Sequence, residues 1–155
     1  MEHLSVTEQQ ADSVRTAPDD IETITKHALS VFDRLKKLVA KPYVKEEWGI
    51  SFTSQEDGPT AELSTPFGPI RMDLVPFVNN EGVQARYIIE KKAKSPLGEV
   101  VWQKVWSLRL DREGRVFQGN EIANSFNARH RGFDEDNDIA SLALSILYVA
   151  GTDLS

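Results

Sequence analysis

Between Trp48 and Gln118 apolar and polar residues alternate with a period of two, and on either side of that block the period is helical. Side chains on a strand point alternately to opposite faces, whereas apolar positions three and four apart mark one side of a helix. Trp48, Ile50 and Phe52 open the block, and Glu56-Asp57-Gly58-Pro59 turns the chain. Ala61, Leu63 and Thr65 alternate next, then Ile70, Met72 and Leu74, then Val83, Ala85, Tyr87 and Ile89, with turn sequences at 66–69, 79–82 and 94–98. A fifth strand runs from Gly98 to Leu110, and Asp111-Arg112-Glu113-Gly114 leads into a brief sixth, Arg115–Gln118. Short loops between successive strands predict an antiparallel meander. One apolar face per strand predicts helices on that face and water on the other.

The fifth strand is the centre of this pattern. Strict alternation puts Trp102, Lys104, Trp106, Leu108 and Leu110 on one face, and Gln103, Ser107 and Arg109 on the other with Val101 and Val105. The face with two indoles is expected to be the core face, because each aromatic ring buries about 150–250 Å². Lys104 is the misfit. A buried amine needs a partner or loses its proton, so this part of the strand is expected either to run along an open rim or to line a pocket.

Two helical patterns flank the strands. Pro18-Asp19-Asp20 is read as a helix start, followed by Ile21, Ile24, Ala28, Val31, Phe32, Leu35, Leu38 and Val39 on one stripe. Lys36, Lys37 and Lys41 gather at its end, and Pro42 stops it. Residues 1–17 are polar and aperiodic, so they are expected to be a disordered tail before a single domain, 18–155. Asn120 is read as the cap of a short helix, and Ile139–Ala150 as the last one. On the last helix Leu142, Ile146, Val149, Ile139, Ala143, Leu147 and Leu144 spread over about 220°, about twice what one core needs. A second surface is therefore expected to meet it, with Leu144 and Leu147 facing a second subunit. The predicted fold is α+β: a meander of five or six strands with a long N-terminal helix and one or two C-terminal helices on one face.

Charge and composition narrow the classes. The 155-residue chain has a net charge of −6 and no visible basic cluster, so nucleic acid is disfavoured as a partner. It has no cysteine, which excludes a disulfide framework and thiolate zinc sites. The first residues lack a basic and then apolar leader, and Leu142–Ala150 is too short to span a bilayer. A cytoplasmic protein without a membrane partner is the expectation.

No catalytic motif emerges. Asp134, Asp136 and Asp138 have the spacing that opens a calcium loop, but Ile139 stands where glycine is needed and Ser145 where glutamate is needed. They are read as helix-end acids, with no metal or other cofactor expected. His27 is read as a structural imidazole at the edge of a helix stripe, and His130 as paired within the Arg129, Arg131 and acid run. Arg71, Asp73, Arg86, Glu90 and Lys92 are read as solvated cross-strand charges. Two functions from different classes follow. The first is a non-enzymatic protein-binding or regulatory module, expected as a homodimer. The alternative is a small-ligand cup, open to catalysis, around Tyr87, Trp102, Lys104 and Trp106.

Overall fold

Helix α1 spans Glu8–Val39, 32 residues, or about 48 Å at the α-helical rise. The computed structural model describes residues 5–55, 60–118, 125–128 and 133–152 of the chain, without the side chains of 53–55, 125 and 133–136. A capping box starts α1: Thr7 Oγ1 accepts from the Gln10 N–H at 3.1 Å, and Gln10 Oε1 accepts from the Thr7 N–H at 2.8 Å. Residues 8–17 are thus helical rather than a disordered tail, and Pro18 lies inside the helix. The reason is local. Glu, Gln and Ala are good helix formers whatever their polarity, and Arg15–Asp12 and Thr16–Asp20 pairs brace the turns before and after the proline. The expected stripe is the one that packs: Ile24, Ala28, Val31, Phe32, Leu35, Leu38 and Val39 are buried, and Ile21 is half-buried against them.

Pro42 does stop α1, and it also starts a second helix. Helix α2, Pro42–Trp48, has Pro42 at its first position, where the missing N–H costs nothing. Trp48 therefore ends a helix instead of opening a strand. Gly49 turns the chain out of α2 at φ 67°, and a Cβ there would lie 2.8 Å from Pro66 Cγ. Glycine is required on both counts.

Seven strands follow in one antiparallel meander whose spatial order is the chain order. They are β1 (Ser51–Gln55), β2 (Ala61–Ser64), β3 (Ile70–Asn79), β4 (Gly82–Lys94), β5 (Val100–Leu110), β6 (Arg115–Gln118) and β7 (Ser125–Asn127). The seventh exceeds the expected five or six. It lies where a short helix was expected from Asn120, a residue outside the described set. Phe126 is paired with Val116, and both are buried in the core, which favours the extended backbone.

Helix α3, Phe133–Ala150, closes the fold and starts six residues before Ile139. It packs on α1 and β5, while α1 crosses β4 and β3 on the same side of the sheet. Asp134, Asp136 and Asp138 all lie within α3, whose helical backbone is not the folded loop of a calcium site. No helix among the described residues is long and apolar enough to cross a membrane.

Candidate functional site

A single extra residue in β5 decides what its side chains can do. Pairing with β4 runs Tyr87↔Leu108, Ile89↔Trp106 and then Glu90↔Lys104, so Val105 is the extra residue of a β-bulge. Val105 and Trp106 both pack against the core. Beyond them the parity is reversed. Lys104 lies opposite Glu90 and Trp102 opposite Lys92, on the face away from the helices.

The four residues of the expected cup are therefore split by the sheet. Tyr87 and Trp106 are on the helix side, and Trp102 and Lys104 are on the outer side. Tyr87 is fully buried, and burial, followed by the negative charge of Asp73, pushes its phenol far above the usual tyrosine range. It stays neutral at any physiological pH. Trp106 is half-buried beneath α3.

The outer face is an array of cations set over rings. The Arg71 guanidinium carbon is 4.6 Å from the Trp102 ring centroid, and Lys92 Nζ is 5.9 Å from it. Arg71 Nη2 and Nε also donate to Glu90 Oε1 at 2.9 and 3.1 Å. Arg86 lies 4.7 Å over Phe77, and Arg109 lies 4.1 Å over Phe117. Arg109 also donates to Gln84 Oε1 at 3.0 Å, and Gln84 donates to Glu81. By register, Arg71, Arg86, Lys92, Lys94, Lys104, Arg109 and Arg115 share this face with Glu62, Asp73 and Glu90, and at its margin Arg109 and Arg115 are ion-paired to Glu81 and Asp111. Cations thus predominate on one face of a chain whose net charge is −6. The sequence conceals this, because the seven are spread over four strands. Each stacked pair contributes about 0.5–1 kcal/mol at an exposed site.

On the helix side, α3 leaves a groove of about 700 Å³ between itself and β5, lined by Trp106, Ala140, Leu144, Tyr148 and Val149 among others. Leu144 is 49% exposed there and Tyr148 79%. Leu147 is only 9% exposed and belongs to the core with Leu142, Ala143 and Ile146. Leu144 and Leu147 therefore do not share a free face. Most of the wide apolar arc is covered within the chain, by α1 on one side and β5 on the other.

Of the remaining candidates, His27 has a structural partner. His27 Nε2 donates to the Arg112 carbonyl at 3.1 Å, tying α1 to the β5–β6 turn. Asp111 holds that turn by accepting from the Glu113 and Arg115 N–H groups at 3.1 and 2.9 Å. His3 and His130 lie outside the described residues, as do the side chains of Asp134 and Asp136. Among the described residues no cluster of His, Asp or Glu has the arrangement of a metal site. Comparison with family models, characterised proteins and solved structures finds no match to this chain.

Proposed function

We propose that the chain is a non-enzymatic protein-binding or regulatory module that works by surface contact at β5. The observation that carries this reading is the bulge at Val105. It sends Trp102 and Lys104 outward while Tyr87 and Trp106 stay on the helix side, so the residues best suited to hold a ligand do not converge. What β5 presents instead is an extended surface: ring-backed cations on one side and an apolar groove on the other. Fixed cations over aromatic rings lose little side-chain freedom on binding, which favours their use in contacts.

Self-association is the second part of the reading. It rests on Leu144 and Tyr148, the exposed apolar positions of α3, rather than on Leu147. A photo-crosslinking side chain at position 104 tests the protein-binding reading in the cell of origin. Capture of one defined protein from position 104, and not from position 26 on α1, is the expected result. Equal capture from both positions, or none, would remove the support. Sedimentation at micromolar concentration tests the homodimer, with Leu144→Glu expected to shift a dimer to monomer.

A further inference from the structure

Strand β5 is longer than β6, its neighbour on the side away from β4. Strand β6 pairs with it only at Leu108–Leu110, so no strand among the described residues lies alongside Val100–Ser107 on the side away from β4. That stretch is about 26 Å of strand edge. Which amides point along it follows from the hairpin. Ser95 N–H donates to the Glu99 carbonyl at 2.7 Å, so Ser95 and Glu99 are a hydrogen-bonded pair. Such pairs alternate with non-bonded ones along an antiparallel ladder. Val101 and Gln103 therefore turn their N–H and C=O groups to β4, and Val100, Trp102 and Lys104 turn theirs outward.

We propose that this edge receives an extended segment of a partner protein as an added strand, and that the segment alternates acidic and apolar residues. The inference rests on the protein-binding reading and names its partner's chemistry. Added strands gain affinity from main-chain hydrogen bonds and specificity from alternate side chains. Here the two sides of the edge differ. On the outer side lie Lys104, Lys92 and Lys94, with the carboxylate of Glu90 already engaged by Arg71. On the inner side lies the groove between Trp106 and α3, lined by Ala140, Leu144, Tyr148 and Val149. A segment paired with β5 would turn every second side chain towards the lysines and the others towards the groove.

Charge and backbone chemistry argue against other occupants of the edge itself, and a second copy docked on Leu144 and Tyr148 would compete with the segment for the groove. A second copy of β5 would bring its own lysines to the same outer face, and like charges on adjacent strands repel. A nucleic acid strand has phosphates for the lysines but no backbone ladder for the edge. Nor is Trp102 an open stacking platform, because Arg71 already covers its ring.

The test uses the full chain and a labelled, end-capped decapeptide of alternating glutamate and valine, read by fluorescence anisotropy. Three controls accompany it: the lysine-for-glutamate peptide, a peptide of the same composition in two blocks, and oligothymidylate. The alternating acidic peptide is expected to bind best. Lys104→Glu should weaken it about ten-fold or more. Lys104→Pro, which removes an outward N–H without touching the β4 ladder, should do the same. Lys26→Glu on α1 should leave binding unchanged. If Lys104→Pro does not fold, shifts of the Trp102 and Lys104 amide resonances on adding peptide to the unaltered chain replace it. Equal binding of the lysine peptide, the block peptide or oligothymidylate would overturn the proposal, as would undiminished binding by Lys104→Pro. A partner crosslinked at position 104 whose contact survives Lys104→Pro would leave the protein-binding reading standing and the added strand refuted.

Discussion

Arg71 lies with its guanidinium carbon 4.6 Å above the Trp102 ring and at the same time donates two hydrogen bonds to Glu90. This pairing fixes the side of the sheet on which Trp102 lies. It is made possible by one inserted residue, Val105, three positions away. The bulge therefore converts a strand with two core tryptophans into one with a tryptophan on each face.

The two tryptophans should differ in what they contribute to stability. Trp102→Ala removes a ring from the outer face and should cost about 1–2 kcal/mol. Trp106→Ala leaves a void between β5 and α3 and should cost about 3 kcal/mol. Urea denaturation of the two variants measures the difference. Equal costs would mean that both rings lie in the core, as unbroken alternation predicts.

Leu144 and Leu147 should separate as sharply. A carboxylate placed in the core without a partner is strongly disfavoured, so Leu147→Glu should lower stability by about 3–5 kcal/mol. Leu144→Glu, at a half-exposed position, should stay within about 1 kcal/mol of the parent. Thermal unfolding of both variants decides it. A folded, stable Leu147→Glu protein would contradict the placement of α3.

Tyr87 gives a pH dependence with a definite sign. Its phenol is raised above its unfolded value, so the stabilisation it brings is complete below about pH 10 and is lost as the pH rises beyond that. Below pH 10, Tyr87→Phe should stay within about 1 kcal/mol of the parent. Above pH 10 the parent should lose about 1.4 kcal/mol per pH unit relative to that variant. A constant gap between the two from pH 8 to 11 would show that Tyr87 ionises as readily folded as unfolded.

Gly49 is held at φ 67° with Pro66 against it. Gly49→Ala should therefore destabilise the chain by about 1–2 kcal/mol. A stabilised variant would show that the turn after α2 is not left-handed.

Most of the fold could be read from the sequence because its periods are long and clean. The α1 stripe from Ile24 to Val39 and the alternation from Ala61 to Leu110 each recur over several turns or strands. Three features could not be read for different physical reasons. Residues 8–17 are polar but good helix formers, and polarity alone reads as disorder. Strand β7 is three residues long, too short for a period. The bulge inserts Val105 into a run of strand-forming residues, which leaves the propensity unchanged while the parity flips. Its one trace was Lys104, a charge on an otherwise apolar face. The outer face was legible in part: Arg71, Arg86 and Lys92 read as cross-strand charges balanced by Asp73 and Glu90, while Lys104 joins them only because the bulge reverses its face.

The open edge of β5 is most directly tested by amide hydrogen exchange on the unliganded full chain. Val101 and Gln103 donate towards β4 and should be strongly protected, while Trp102 and Lys104 should exchange close to the unprotected rate. That alternation leaves the edge free to receive a strand. Protection of Trp102 and Lys104 equal to that of their neighbours would mean the edge is already covered, and would contradict binding by strand addition.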